Sequence, residues 1–564
     1  MTWRGRLTVL LICTAQLVIA IDGSIVQVAL PYIGSELKVS TTGLPWIGTT
    51  YALAFGGFLL IGGRLGDLYG RRRLFSLGLV VFALASLPGC FAGDAGMLLA
   101  SRSLMGLGAA MIAPSALALL STAFPGGAAR TKAIGAYAMA SAVGVAFGMV
   151  LGGWLTGFHN LLGLGIEGWR LTFLVNVPIG LLSSVFVRRF LDESHGKRGS
   201  FDVAGAVTGT AGLLAVTYAV TRLQGGARRW DDPVTMLIAC AGLGLLAAFA
   251  LIESRAAHPL LPLSVLSSRV RLASFAAFLL ASAAMFAQFF YMNLFLQDIM
   301  GLRPMLTGMA FLPFSVGMIA GSRTASYLAT RMQPRFVAGV GMLFAAAAYL
   351  HYAAIHVPDT PGDVLSSLSG GGTVGAHFDY WTGILPFFLL NSFGVGIIFV
   401  ALTLTSLHKL HGEDSGVGSG VLNTVQQLGG AFGLALISTI AAHVVASRTA
   451  SVLPGLLAGL GARAHRVVPG TQSTYLQWAA QQAALTAGAR QAYLACAAVM
   501  LTATALVLLF VSVRTGELTR SARTDQEAVT AARSTRPRCE QPARREVALP
   551  RSRRPRCLQG NRRR

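Results

Sequence analysis

Two charged side chains lie inside apolar stretches of this sequence. Asp22 is the only acidic residue in an apolar run from about residue 7 to residue 33, and Arg102 lies in another run. An ionised side chain at membrane depth costs about 2.5 to 3.5 kcal/mol, so such residues are functional candidates by default. Burial favours the protonated form of a carboxyl group, and a small change in its solvation can switch its charge. A proton-coupled carrier requires this chemistry.

Each of these residues also has a simpler interpretation. Asp22 precedes Gly23 and Pro31, so its role could be limited to capping a break in the helix. Arg102 needs a partner or a cage of carbonyl groups, and such contacts could merely brace two helices. The sequence favours a coupling role for Asp22 and leaves the alternatives open for both side chains.

A third cluster occupies the connection between two apolar runs, residues 62 to 74, which holds one carboxylate, four arginines and four glycines. Glycine permits a positive φ angle and close helix approach, and a short Arg-rich loop marks the cytoplasmic side of a membrane. We predict a conformational latch in which the Asp67 carboxylate contacts a helix N-terminus or an arginine when the cytoplasmic face is closed. The latch residues are Gly63, Asp67, Gly70, Arg71 and Arg72. A solvated basic turn is the alternative.

The elements that position these residues follow from composition. The 564 residues are 54% hydrophobic and 12% charged, with a mean hydropathy of +0.62, whereas soluble domains carry about 25% charged residues. Apolar runs of about 20 residues recur along the chain, which predicts an all-α polytopic membrane protein. Hydropathy gives 14 transmembrane helices, from about 7–33 to about 490–513. The first 20 residues could pass for a signal peptide, but the apolar character continues to Ile33, which favours a retained first span.

Charge indicates the orientation of the chain. On this topology 18 Lys and Arg residues before the tail lie inside and 10 lie outside, which places both termini in the cytoplasm. The tail, residues 514–564, holds 15 Arg against five acidic residues. We expect it to be a disordered basic segment that contacts anionic lipids, and we expect no nucleic acid partner although the net charge is +23.

The spans predict four parts. These are an N-terminal six-helix bundle (1–190), two additional helices (191–256), a C-terminal six-helix bundle (257–513) with external loops at 357–381 and 446–489, and the tail. The segment from Leu328 to Arg335 is a weak copy of Leu65 to Arg72. A repeat of this kind suggests duplication, and duplicated transporters hold their site at the interface between the repeats.

Several motifs resemble the major facilitator superfamily, in particular its fourteen-span drug:proton antiporter branch of the EmrB/QacA type. The resemblance covers about residues 7 to 513 and omits the tail. The matching segments are Asp22 to Pro31, Gly63 to Arg73, Arg102 with Gly106, Gly108 and Pro114, Trp169 to Gly180, Phe201-Asp202, Leu312 to Phe314, and Gly420 to Gly433. This resemblance implies two six-helix bundles plus two extra helices, and it implies proton coupling by Asp22 and Arg102.

The fifth span resembles the antiporter helix of the same branch. Its glycines are Gly135, Gly144, Gly148, Gly152 and Gly153. Met149 occupies the place where the family pattern has proline, so any bend must come from the glycines alone. This departure makes antiport, as opposed to another mode of coupling, less secure. Small residues allow helices either to slide or to pack statically, and the sequence does not separate the two.

Aromatic, Met and amide residues suggest a substrate cavity. The candidates are Gln288, Phe289, Tyr291, Met292, Asn293, Asn423, Gln426 and Gln427. Apolar and cation–π contacts from these side chains suit lipophilic substrates, including cations. Aromatics that face lipid are the alternative.

The expected function is proton-coupled efflux of drugs or antibiotics across the cell membrane by alternating access. A dedicated metabolite exporter or an importer of the same fold is the first alternative, and a non-transporting receptor or scaffold is the second. We expect no enzyme activity, no cofactor and no metal, since the sequence shows no nucleophile–base pair, no P-loop and no Cys/His cluster. The expected partners are protons, the lipid bilayer and a small lipophilic molecule, neutral or cationic. A monomer is expected.

Overall fold

The computed structural model describes residues 3–40, 43–124, 127–158, 167–191, 193, 202–222, 232–256, 267–329, 331–355, 378–406, 408, 414–461 and 471–512. Every regular element in these residues is a helix. In chain order they are α1 Trp3–Glu36, α2 Pro45–Tyr69, α3 Arg71–Cys90, α4 Ala95–Ala123, α5 Gly127–Thr156, α6 Gly168–Leu174, α7 Asn176–Phe190, α8 Val203–Arg222, α9 Pro233–Arg255, α10 Arg269–Leu294 with a π-helical turn Phe295–Ile299, α11 Pro304–Ala310, α12 Leu312–Leu328, α13 Pro334–Ala354, α14 Tyr380–Gly383, α15 Leu385–Ser406, α16 Asp414–Gly461 and α17 Thr471–Phe510.

The helices follow the predicted apolar runs. Within the described residues, eleven helical stretches are long and apolar enough to cross a membrane. The apolar stretches described in α5 and α8 are shorter, Val143–Thr156 and Ala204–Ala219. The all-helical membrane fold is therefore confirmed, while the count of fourteen spans stays a prediction.

Local sequence signals set several helix starts. The carboxylates of Asp94, Asp232 and Asp379 accept hydrogen bonds from backbone N–H groups of the first turns of α4, α9 and α14. These N–H groups have no partner within their own helix, so a capping oxygen satisfies them. Proline occupies the first turn of α2, where its missing N–H costs nothing.

Two boundary predictions are wrong. The break expected near Pro31 is absent, because α1 continues through this proline to Glu36; neighbouring helices commonly compensate for a proline inside a membrane helix. The predicted external loop 446–489 is helical at 446–461 and at 471–489, where α16 and α17 extend beyond the apolar core of their spans. Hydropathy detects only the part of a helix that lies in hydrocarbon. The loop 357–381 falls mostly outside the described residues.

Helix packing divides the molecule into two halves and a hairpin. In the first half α1 packs on α5, α2 on α4, and α3 on α4 and α7; in the second, α10 packs on α16 and α17, and α15 on α12 and α13. Helices α8 and α9 pack against each other as a hairpin, which contacts α2 and α16. The division of the chain into four parts stays a prediction.

The two halves meet through α2 with α16 and through α5 with α11. We call the end of the bundle that carries the α1–α2 connection, residues 37–44, the outer end, because the predicted topology places it outside the cell. Tight packing between the halves is found towards this end, where Gly153 of α5 lies against Pro304 and Met305.

Candidate functional site

Asp22 and Arg102 form a buried ion pair in the first half. The Arg102 Nη1 atom of α4 donates to Asp22 Oδ2 of α1 over 2.7 Å. Asn176 of α7 donates from Nδ2 to the other carboxylate oxygen, Oδ1, over 2.8 Å. The exposed fractions of the three side chains are 0%, 2% and 1%, respectively. Three helices therefore meet at one carboxylate that is closed off from lipid and from water.

The guanidinium of Arg102 has further partners. Its Nε donates to the Ile47 carbonyl of α2 over 3.2 Å, and its Cζ lies 4.4 Å from the ring centroid of Tyr51. A buried ion pair persists only when the remaining polar atoms are also satisfied, and removing one partner from such a pair costs about 3 to 5 kcal/mol. The partner and carbonyl group that the sequence required for Arg102 are both present. The Asp22 carboxylate is thus paired with Arg102 of the same half, and its side chain lies in the interior of that helix bundle.

This geometry allows a proton and an arginine to compete for one carboxylate. The Arg102 guanidinium and the Asn176 amide both donate to the oxygens of Asp22, whose negative charge holds the arginine. Protonation removes that charge, weakens the hold on Arg102 and frees a cation that must find other partners. The ion pair can therefore link proton binding to a rearrangement of α1 against α4.

The second half contains a buried amide in its first helix. Gln288 of α10 is fully buried and accepts a hydrogen bond from Tyr349 over 3.4 Å. An amide side chain carries no titratable charge at physiological pH, so Gln288 cannot take part in proton exchange as a carboxylate can.

The glycines of α5 form the surface on which α1 lies. A Cβ atom at Gly144 would stand 2.7 Å from Ala20 Cβ, and one at Gly152 would stand 2.8 Å from the Ile25 carbonyl oxygen. At Gly148 it would meet Ser24 and the Ile21 carbonyl. These contacts are closer than normal van der Waals separations, so a side chain at any of these positions would push α1 and α5 apart. The surroundings of Gly135 lie outside the described part of the chain.

Gly153 and Gly308 make the contact between the two halves at the crossing of α5 and α11. A Cβ at Gly153 would stand 2.9 Å from Met305 Cα, and one at Gly308 would stand 3.1 Å from Val150 Cα. The departure from the family pattern, Met149, is buried within α5, which is one helix over Gly127–Thr156. The backbones of α5 and α11 can approach this closely only because both helices carry glycine at the crossing.

A second contact between the halves uses two amide side chains. Asn293 donates to the Gln27 carbonyl of α1 over 2.6 Å, and Gln297 donates to the Val28 carbonyl over 2.9 Å. Gln297 also donates to Asn293 Oδ1, over 2.8 Å. Asn293 was predicted as a cavity residue, and the structure uses its side chain to join α10 to α1 towards the outer end.

The other predicted cavity residues do not form one described cavity. Gln288 and Met292 are buried, and Phe289 stacks on Phe311 and makes an edge contact with Phe314. Among the remaining candidates, Tyr291 lines a small cavity between α10, α16 and α17. Three of them, all half-buried, lie on α16: Asn423, Gln426 and Gln427. The prediction of a single aromatic and amide cavity at these residues is therefore not confirmed.

The predicted latch has a carboxylate partner that sequence analysis missed. Gly70 has a φ angle of 101°, which glycine adopts readily. Next to it, the backbone N–H of Arg72 donates to Glu193 Oε1 over 3.1 Å, and its Nε donates to Oε2 over 3.3 Å. Glu193 follows α7, so the contact ties the α2–α3 turn to the end of the sixth span.

The structure describes two more of the predicted latch residues. The Arg71 Nη1 atom donates to the Ala118 carbonyl over 3.4 Å. The surroundings of Gly63 include Pro114 of α4, and the side chain of Asp67 lies outside the described residues.

We expect Glu193→Gln to slow turnover about twofold to fivefold at saturating substrate and to leave the half-saturating concentration unchanged. The Arg72 and Glu193 side chains are 28% and 24% exposed, so their pairing contributes about 1 kcal/mol or less, and a fivefold change corresponds to that energy. Transport rates of Glu193→Gln, Arg72→Gln and the double variant form a cycle that measures the coupling. Purely additive effects in this cycle would show that the contact has no part in the latch.

Two more carboxylates in helical segments were not predicted, of which Glu253 is buried and Asp298 is half-buried. Asp298 lies in the π-helical turn after α10 and lines the cavity between α10, α16 and α17. Glu253 is 3% exposed near the end of α9. The predicted ninth span ended at residue 295, so Asp298 fell outside it. Both carboxylates lie near the ends of their helical segments, whereas Asp22 lies in the middle of α1.

The sequence matches the Major Facilitator Superfamily model over residues 12–434. The chain is 37% identical over 447 residues to the puromycin resistance protein pur8 of Streptomyces alboniger, a match that covers 79% of this chain and 83% of that protein. It is 34% identical over 435 residues to the cephamycin export protein CmcT of Amycolatopsis lactamdurans, with 76% and 84% covered.

Solved structures agree on the fold. A bacterial homolog of the human lysosomal transporter Spinster, in an inward-facing and unoccupied conformation, matches with a TM-score of 0.61 at 16% identity and covers 92% of this chain and 98% of that one. The POT family transporter PepTSo matches with a TM-score of 0.56 at 15% identity, with 90% and 99% covered. This chain therefore belongs to the major facilitator superfamily and is a multi-pass membrane transporter, not an enzyme.

Proposed function

We propose that this transporter exports antibiotic-type molecules from the cell in exchange for protons. The observation that carries the proposal is the buried pair of Asp22 and Arg102 with its Asn176 hydrogen bond, because it is a titratable centre inside a transport fold. The resistance and export proteins that are similar over most of this chain support efflux as the direction of transport.

In the proposed cycle, a proton displaces Arg102 from Asp22 on the outer side. The neutral carboxyl then keeps its bond to Asn176, and Arg102 turns towards the Ile47 carbonyl and the Tyr51 ring, which already contact it. Release of the proton on the inner side restores the pair. Each turn of the cycle moves one proton inwards, and the substrate uses the alternate exposure of the central space to leave.

Alternating exposure requires that the contact between the halves opens and closes. At the outer end it consists of glycine-to-backbone packing and of hydrogen bonds from Asn293 and Gln297 to carbonyl groups. Such a contact is specific without being strong, since a neutral hydrogen bond contributes only about 0.5 to 1.5 kcal/mol. The halves can therefore separate here when protonation of Asp22 shifts the balance.

The location and partners belong to the same proposal. We place the protein in the cell membrane with both termini in the cytoplasm, as the bias of 18 to 10 basic residues favours. The arginine tail would then lie near anionic lipids of the inner leaflet. A single chain contains both halves, so a monomer suffices for the cycle.

Everted membrane vesicles test the proposed function. With the vesicle interior more acidic than the outside and the voltage clamped at zero, we expect uptake of at least one compound from a panel of puromycin, lincomycin, a cephamycin and tetracenomycin C. Uptake should collapse when the pH gradient is dissipated and should be absent from vesicles that lack the protein. Transport in the opposite direction, or uptake that ignores the pH gradient, would refute proton-driven efflux.

A further inference from the structure

A cavity of about 220 Å³ lies where the hairpin α8–α9 packs on the contact between the two halves. Its walls come from four helices: Gly57 and Ile61 lie on α2, Ala206 on α8, Phe249 on α9, and Val425 on α16. Helix α2 belongs to the first half and α16 to the second. The cavity is therefore bounded at once by both halves and by the two helices that are additional to them.

The walls of this cavity are almost entirely apolar. Aliphatic side chains, glycines and the Phe249 ring line it, and its lining includes no charged residue. An apolar cavity of about 150 Å³ stays dry and binds benzene. The larger space found here accommodates a short aliphatic chain or a ring, which would restore the dispersion contacts that an empty cavity forgoes.

Two hydroxyl groups on the wall differ in their hydrogen bonding. Thr210 of α8 donates to the Gly57 carbonyl over 2.8 Å and is satisfied within the protein. Thr424 of α16 is 8% exposed, and its Oγ1 atom has no hydrogen-bond partner among the described residues. A buried polar group without a partner costs about 1 to 3 kcal/mol. A ligand with one hydroxyl or carbonyl group can supply that partner.

We propose that this cavity binds an apolar molecule that carries a single hydroxyl or carbonyl group, as fatty alcohols and acylated lipids do. At the wall of the cavity, Gly56 of α2 lies against Gln427 and Leu428 of α16. A molecule in the cavity touches both halves and resists their relative movement. A bound molecule therefore slows the alternation between the two conformations of the transporter. This consequence rests on the proposed transport function, whereas binding to the cavity does not.

Photolabelling of the purified protein with a diazirine-bearing octanol tests the site directly. We expect labelled peptides from α8, α9 and α16 and a reduction of at least tenfold in Ala206→Phe, which fills the cavity. Thr424→Val keeps the side-chain volume and should reduce labelling about threefold to tenfold, the change that one hydrogen bond supplies. The matched control is Thr439→Val, since its hydroxyl, also on α16, donates to the Ala435 carbonyl and lies away from the cavity.

Competition separates the two sources of such a ligand. Protection by oleyl alcohol or extracted phospholipid, without protection by puromycin, assigns the site to bilayer molecules; protection by puromycin assigns it to a lipophilic substrate. Labelling that lies elsewhere, or that is unchanged in both Ala206→Phe and Thr424→Val, would overturn the proposal.

A transport assay tests the consequence for function. Octanol should slow efflux by the wild-type protein but not by Ala206→Phe. If the wild type shows no efflux at all, the proposed function fails while the labelling result stands by itself.

Discussion

Asp22→Asn should abolish proton-driven efflux and also destabilise the folded protein. The substitution keeps the shape of the side chain and removes the charge that Arg102 contacts over 2.7 Å. The guanidinium then remains buried without a counter-charge, a loss of about 3 to 5 kcal/mol. Efflux in vesicles under a fixed pH gradient should fall to that of vesicles without the protein, and thermal unfolding in detergent should occur at a lower temperature.

A second substitution separates the loss of stability from the loss of function. In Asp22→Asn/Arg102→Gln the uncompensated charge is gone, so stability should largely return while efflux remains absent. The control is Glu36→Gln/Arg170→Gln, which removes another ion pair of the first half, with 2.8 Å between its charged atoms and side chains that are 32% and 16% exposed. This control should retain its dependence on the pH gradient. Proton-driven efflux in the stable double variant would remove the buried pair from the mechanism.

Gly153→Ala should open the outer end of the transporter and reduce efflux about tenfold. The added methyl group would collide with the backbone of Pro304 and Met305, so α5 and α11 can no longer close on each other. Forced overpacking costs about 1 to 3 kcal/mol, which shifts an equilibrium between two states by roughly 5-fold to 150-fold. Spin labels at the exposed positions Ser35 and Arg303, one in each half at the outer end, should report a longer distance between them.

Gly157→Ala is the matched control for this substitution. Gly157 lies just beyond the end of α5. The nearest atoms to a Cβ there are the carbonyl oxygens of Trp154 and Gly153 in the last turn of α5, at 3.4 and 3.5 Å. It should leave both the spin-label distance and the efflux rate unchanged. An unchanged distance in Gly153→Ala would show that the crossing of α5 and α11 does not control the opening of the outer end.

The sequence identifies buried charged residues better than it identifies their partners. Asp22 and Arg102 stand out because a charge in an apolar run is conspicuous, but their contact joins residues 80 positions apart and depends on how α1 crosses α4. Asn176 belongs to the family pattern, yet a neutral amide gives no charge signal of its own. Glu193 lies in a polar connection between helices, where the sequence does not distinguish a glutamate that binds an arginine from one that contacts only solvent.

The limits of the fold prediction have the same origin. Hydropathy located the apolar parts of the helices, but it could not show that α16 and α17 continue beyond them or that a π-helical turn carries Asp298 inwards. The predicted cavity stays a prediction, since residues such as Asn293 and Phe289 contact partners outside their own helix that the sequence does not reveal. Small residues on α5 predicted close packing, and only the three-dimensional arrangement separates the glycines that face α1 from Gly153, which faces the second half.

Proton movement measured with a pH-sensitive dye inside proteoliposomes tests the proposed coupling most directly. In wild-type vesicles with the voltage clamped, addition of a transported compound should change the internal pH, at a rate that follows the rate of substrate transport. The double variant Asp22→Asn/Arg102→Gln should show no such proton movement while it remains folded. Substrate-dependent proton movement at the wild-type rate in that variant would contradict the conclusion that this buried ion pair carries the proton.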